Sequence, residues 1–302
     1  MCKITVFTPT YNRARTLRIA FESLMNQTNH NFIWLIIDDG STDNTSELID
    51  EFKEKALFEI RYYWKENGGR HTAVNYSYQF LNTEYVITLD SDDELVPDAI
   101  EKILKIWESI PKEKYDKYWC ISGREIYASN GLMVGKPYPP NINDLSGRAQ
   151  RKALFKCPGE KHCCRKVAIH IQYPFPIFPD TKFVTENMVW EKINRRYDQY
   201  CVNDIFGIYH TNSEDSLSTN SPHKRTKYRS SYYRSIFYIN ELFDEIFFNR
   251  GVIRCMVDLP RCAMKTDTPY AEVMKQLNST LKKILVTLCY PVAWIFITFF
   301  HK

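Results

Sequence analysis

The sequence predicts an α/β protein with a mostly parallel central sheet, helices on both of its faces and a helical C-terminal extension. Two observations carry this: strand-like and helix-like stretches alternate over roughly the first 100 residues, and three polar clusters fall where predicted strands end. The first strand is the apolar run Ile4 to Thr8, followed by a helix from about Arg15 to Asn26. A second strand, Phe32 to Asp38, leads to a helix from about Asn44 to Lys55. Phe58 to Trp64 reads as the third strand, and about Arg70 to Leu81 as the third helix. A fourth strand enters at Tyr85 and runs to Asp90, and a further helix starts near Pro97.

In sheets of this kind, ligands sit beyond the carboxyl ends of the strands. The clusters there are Thr8-Pro9-Thr10-Tyr11-Asn12, Asp38-Asp39-Gly40-Ser41-Thr42-Asp43 and Asp90-Ser91-Asp92-Asp93. Along an extended segment Asp90 and Asp92 project to the same side and converge on one ion. Hard oxygen donors suit magnesium or manganese, which hold substrate phosphates with one or two carboxylates. The competing reading is a solvated acidic turn in which Asp93 or Glu94 supports the next helix N-terminus. Tyr11 offers a face for stacking a base, and the hydroxyls of Thr8 and Thr10 can bond its edge or a ribose. Asp39 can accept the imide N–H of a uracil, Gly40 allows a tight turn, and Ser41 or Asp43 can cap the following helix. In Asn67-Gly68-Gly69-Arg70-His71, backbone N–H groups and Arg70 can meet a pyrophosphate. Taken singly, each cluster is also an ordinary turn or loop.

Together, in this order and spacing, the four motifs resemble those of family 2 glycosyltransferases over about the first 130 residues. The resemblance implies the GT-A fold and transfer of a sugar from a nucleotide diphosphate donor with inversion, assisted by manganese or magnesium. It implies that Thr8 and Tyr11 hold the base, Asp39 its N–H, Asp90 the ribose or metal, and Asp92 the metal. Downstream, Ile121-Ser122-Gly123, Gly159-Glu160-Lys161, Phe175-Pro176 and Lys182-Phe183-Val184-Thr185-Glu186 are similar to one branch of the family. Many relatives carry Glu-Asp where this chain has Glu186-Asn187, so Glu186 becomes the candidate base that takes the acceptor proton. Asp93 and Glu160 are competing candidates, and a helix-end carboxylate is the plain structural alternative for Glu186. The expected domain is 1–220, with a donor half of about 1–130 and an acceptor half of about 131–220, followed by an extension over 221–302.

The net charge of +4 in 302 residues gives no reason to expect a nucleic-acid partner. The stretch from His223 to Lys283 nevertheless holds about twice as many Lys and Arg as Asp and Glu. No N-terminal leader is expected, since the chain enters a core strand at once. Nine cysteines suggest reduced thiols in a cytoplasmic protein. The spacing of Cys157, His162, Cys163 and Cys164 matches no common structural zinc pattern. His210 can touch the leaving diphosphate, as polar residues in this region do in some relatives; a loop histidine without a role is the equal alternative. Ile284 to Phe300 is apolar and uncharged for 17 residues, with Lys282 and Lys283 before it and Pro291 within. It is short for a spanning helix and suits one lying on the cytoplasmic face of a membrane; packing on aromatics such as Tyr232, Tyr233, Phe237 and Phe247 is the alternative.

The expected partners are therefore a nucleotide-sugar donor and a glycan or lipid-linked glycan acceptor. Transfer to a polyprenyl phosphate is the second enzymatic reading. A noncatalytic sugar-nucleotide or glycan-binding module is the reading from a different class.

Overall fold

The computed structural model describes residues 2–211 and 224–300. Its strands are β1 (Ile4–Thr10), β2 (Phe32–Asp38), β3 (Glu59–Trp64), β4 (Tyr85–Thr88), β5 (Glu94–Leu95), β6 (Tyr118–Tyr127), β7 (His162–Lys166) and β8 (Asp198–Tyr209). They form one mixed sheet in the order β3-β2-β1-β4-β7-β6-β8-β5. The four strands β3, β2, β1 and β4 are parallel, β7 runs antiparallel to β4 and β6, and β8 pairs parallel with β6 and antiparallel with β5. The intervening helices are α1 (Ala14–Met25), α2 (Thr45–Lys55), α3 (Arg70–Ser77), α4 (Ala99–Ser109), α5 (Lys112–Tyr115), α6 (Gly147–Leu154), α7 (Val167–His170) and α8 (Asn187–Asn194). They are followed by α9 (Lys224–Glu241), α10 (Arg250–Lys265), α11 (Tyr270–Gln276) and α12 (Thr280–Phe300).

Packing divides the described residues into a unit of 2–175 with 189–211 and a unit of 176–188 with 224–300. The expected boundary at 220–221 lies outside the described residues. In the first unit, β2 is buried at every position and β1 at all but one, because each lies between two other strands. The buried apolar residues of α1, Ala14, Leu17, Ala20, Phe21 and Leu24, recur at helical spacing and place Phe21 in a stack on Phe52 with ring centroids 4.0 Å apart. Burial of such side chains supplies about 1.5–3 kcal/mol each and fixes which face of α1 meets the sheet.

Register aligns the strand ends that matter. Thr10 lies opposite Asp38 and Asp38 opposite Trp64, while Phe7 lies opposite Thr88, so the three polar clusters share one sheet edge. One local expectation differs. The strand into the acidic cluster stops at Thr88, and the Asp93 N–H donates to the Asp90 carbonyl at 3.1 Å, closing a turn. Asp90 and Asp92 are gathered around that turn rather than along an extended strand.

In the second unit, the segment 176–188 is tied to α9. Asp180 accepts from Arg229 Nε at 2.9 Å and from the Tyr233 hydroxyl at 2.9 Å, and Phe178 stacks on Tyr233 at 3.8 Å. Helix α10 packs against both α9 and α12. Helix α12 continues through Pro291 for 21 residues.

Two buried histidines make the fold acid-sensitive. His71 and His170 are 3% and 2% exposed, and burial lowers both below the ordinary value of 6.5. The folded chain therefore binds fewer protons than the unfolded chain as pH falls through about 6.5, so stability is lost on the acid side, by up to about 1.4 kcal/mol per pH unit for each group. Burial also opposes the charged form of His162, but the bond and charge of Glu125 raise it overall, so this residue acts in the opposite sense. His170→Leu is accordingly expected to flatten the decline of the melting temperature between pH 7 and pH 5, and an unchanged slope would remove His170 from the account.

Candidate functional site

The loops after β1 and β2 are laced together. Asn12 adopts φ +51°, its N–H donates to Ser41 Oγ at 2.8 Å, and its Oδ1 accepts the Thr42 N–H at 2.8 Å. Asp43 accepts the Ala14 N–H at 3.1 Å through one oxygen, and the Thr45 hydroxyl at 2.6 Å and N–H at 3.2 Å through the other. It thus holds the first turns of both α1 and α2. Tyr11 is 47% exposed beside this lacing. Thr8 is fully buried and accepts the Trp34 indole N–H at 2.9 Å, whereas Thr10 is buried with a hydroxyl that has no partner among the described residues.

Asp39 organises the adjacent loop. Its Oδ1 accepts from Lys65 Nζ at 2.6 Å and the Gly68 N–H at 3.0 Å. Its Oδ2 accepts the Gly69 N–H at 2.7 Å and Asn67 Nδ2 at 3.2 Å. The glycine N–H groups expected to face a pyrophosphate are thus engaged by Asp39. Gly40, at φ +89°, permits this closure, since a Cβ there would lie 2.8 Å from the Asn67 nitrogen. His71, next to Arg70 in the sequence, is buried, and neither of its ring nitrogens has a hydrogen-bond partner among the described residues. Asp39→Ala would leave Lys65 without its carboxylate and release the 67–69 loop. A loss of about 3 kcal/mol is expected, read as a lower midpoint in denaturant; a midpoint equal to that of the parent chain would show that the loop is held by other groups.

At the end of β4 the acidic turn is met from three directions. Arg70 Nη2 donates to Asp90 Oδ1 at 2.7 Å. The surrounding protein opposes ionisation of Asp90, and the Arg70 guanidinium outweighs this, holding the carboxyl below its ordinary value. Arg13 approaches Asp92 to 4.0 Å. The two-residue strand β5 pairs with β8 and so delivers His210, whose N–H donates to Asp93 Oδ1 at 2.9 Å and whose Nε2 lies 2.7 Å from Glu94 Oε1. Burial, then the charges of Asp90, Asp92 and Glu125, push Asp93 up to about 8 despite the bond from His210.

A pair unmarked in the sequence lies beneath this turn. His162 Nδ1 is 2.8 Å from Glu125 Oε1, and both residues are buried. Gly207 on β8 makes the room, because a Cβ there would fall 2.7 Å from His162 Nδ1. The only sequence signal is a histidine and a glutamate on strands that turn out to be neighbours. Cys163 and Cys164, weighed above with His162, are successive residues of β7 and face opposite sides of the sheet; Cys164 is buried in the main core, and Cys163 lies 3.2 Å from Ser122 Oγ. Glu160 follows Gly159 in the 157–161 loop. Glu186 immediately precedes α8 and belongs to the second unit.

Among the described residues, no three His, Cys, Asp or Glu side chains are arranged to hold a metal by themselves. The two carboxylates Asp90 and Asp92 nonetheless match the donor set with which magnesium or manganese binds a substrate diphosphate, whose oxygens and waters complete the shell. The negative charges of Asp90, Asp92 and Glu125, which add to burial in raising Asp93, also favour a divalent cation there.

Comparison with known proteins bears on the family and the fold. A family model described as glycosyl transferase family 2 matches residues 5–166. An uncharacterised glycosyltransferase of Mycoplasma pneumoniae is 37% identical over 164 residues, 52% of each chain. The chain thus spans about half of that relative and a smaller share of other curated relatives that it matches. Among solved structures, residues 1–349 of Staphylococcus aureus TarS in complex with UDP-GlcNAc superpose with a TM-score of 0.59 at 15% identity, covering 97% of this chain and 89% of that one. A mannosyltransferase from Pyrobaculum calidifontis with GDP-mannose and manganese gives 0.51 at 16% identity, with 97% and 80% covered. These likenesses show the GT-A fold for the curled, mostly parallel sheet and its helices.

Proposed function

Because the chain belongs to glycosyl transferase family 2, we propose that it moves a sugar from a nucleoside diphosphate donor, a UDP-sugar, to a hydroxyl of a surface polysaccharide or lipid-linked oligosaccharide. The observation that carries this reading is the acidic turn at the end of β4, paired with Arg70 and placed on the same sheet edge as the Tyr11 and Asp39 loops. Thr10 and Tyr11 frame the base, with Thr8 fixing the strand beneath them. Asp39 serves the base end both as an acceptor and as the anchor of the 67–69 loop. Asp90 and Asp92 would hold manganese or magnesium, and Arg70, bonded to Asp90, would meet the diphosphate. When bound, the metal neutralises charge developing on the leaving diphosphate. The protein's part is to align donor and acceptor and to remove a proton: Glu186 takes it from the attacking hydroxyl, and in-line attack inverts the anomeric carbon.

The exposed apolar helix α12 favours an acceptor carried at the cytoplasmic face of a membrane, and leaves transfer to a polyprenyl phosphate as the second reading. The test is incubation with UDP-, dTDP- and GDP-sugars and membrane glycan acceptors in manganese, followed by nuclear magnetic resonance of the product anomer. Transfer from UDP-sugar with inverted configuration is expected. A product with retained configuration would overturn the mechanism, and nucleotide binding without any transfer would point to a binding module.

A further inference from the structure

Helix α12 is apolar on every side in sequence, but its surroundings are strongly one-sided. Val286 and Ala293, seven positions apart and hence on one face, are completely buried within the second unit. On the opposite face Leu281, Ile284, Leu288, Val292, Ile295 and Phe299 recur every three or four residues, each at least 43% exposed, with Trp294 beside them at 56%. At Leu281 the stripe continues into a mainly apolar groove of about 640 Å³ formed with Phe243, Asp244, Ile246, Phe247, Ile253 and Leu285, where Phe247 is 95% exposed. A continuous apolar surface of this extent on a folded unit marks an interface.

We propose that α12 lies in the plane of an anionic phospholipid bilayer, its Val286–Ala293 face retained on the protein and its Leu281–Phe299 stripe immersed among the acyl chains. The helix has the length and hydropathy to cross a membrane, but crossing would strip Val286 and Ala293 from α10 and the rest of the unit. In-plane docking keeps that packing and covers only what is exposed. Charge selects the lipid. Lys282 and Lys283 lie in the first turn of α12 beside the start of the stripe, Arg250 and Arg254 are exposed on α10 around Ile253, which lines the groove, and the surrounding sequence carries about twice as many cations as anions. Such a rim adds attraction to anionic headgroups. Trp294 suits the boundary between headgroups and chains. This deepens the membrane-face reading above and is independent of the transfer chemistry.

The experiment is sedimentation of the full chain with vesicles of phosphatidylcholine containing phosphatidylglycerol, and with phosphatidylcholine alone. The expected result is binding that prefers the anionic vesicles and is released by alkaline carbonate. Leu288→Glu combined with Ile295→Glu should lower partitioning by at least about 100-fold, with UDP calorimetry unchanged because both residues are exposed. The milder pair Leu288→Ala with Ile295→Ala should give a smaller loss in the same direction should the glutamates disturb folding. Resistance to carbonate would show a spanning helix. A dimer by light scattering that the glutamate pair dissolves, without vesicle binding, would assign the stripe to a second copy of the chain. Either result, or vesicle binding unaffected by both pairs, would overturn the proposal, while retained UDP binding keeps the donor site out of question.

Discussion

Asp92→Ala is expected to weaken manganese-dependent UDP binding by at least about 100-fold, because it removes one of the two carboxylates available to a metal at the diphosphate. Asp90 cannot compensate alone: one of its oxygens already accepts from Arg70 at 2.7 Å, and Asp93, pushed up to about 8, is largely protonated at neutral pH. The Asp92 side chain is 22% exposed, and its ion pair with Arg13 is long at 4.0 Å, so a stability change within about 0.5 kcal/mol is expected. This separates it from Asp39→Ala, where loss of binding and loss of stability should arrive together. Calorimetry with UDP, GDP, ADP and dTDP, each with and without manganese, reads the effect and the base preference at once. If the variant bound UDP as the parent does, and still only with manganese, Asp92 would be no ligand. Absence of nucleotide binding by the parent chain would favour the noncatalytic glycan-binding module.

The half of the fold that was legible in the sequence is the half built from local patterns. From β1 to β4 each strand and helix announces itself through its own hydrophobic period, and each polar cluster follows in the same stretch of chain. What was not legible depends on pairing across long separations. Nothing near Asp93 indicates that β5, only two residues long, will pair with β8 and bring His210 to it. The engagement of Asp39 with Lys65 and the glycine N–H groups likewise appears only once β2 and β3 lie side by side. Gly207 looks like any glycine until His162 and Glu125 arrive from β7 and β6. In α12 the reason is different: a helix apolar all round carries no periodic signal, so the covered Val286–Ala293 face and the exposed stripe become distinct only when α10 is in place.

Glu186→Gln is expected to leave UDP binding unchanged and to reduce transfer by about 10²–10⁴-fold, the range supplied by a positioned general base. The substitution keeps the side chain's length and its capacity to accept a hydrogen bond, but the amide cannot take the proton from the acceptor hydroxyl. The competing carboxylates predict different patterns. Asp93 accepts the His210 N–H at 2.9 Å, and its own N–H closes the acidic turn, so Asp93→Asn should disturb donor binding along with turnover. A base at Glu160 would make Glu160→Gln the variant with intact binding and lost transfer. Donor hydrolysis adds a second reading: an attacking water must also lose a proton, so a base at Glu186 that serves any nucleophile should slow the release of UDP in water along with transfer in Glu186→Gln. Full turnover in Glu186→Gln would refute the assignment. Transfer lost with hydrolysis unchanged would instead assign Glu186 to positioning the acceptor rather than to removing the nucleophile's proton.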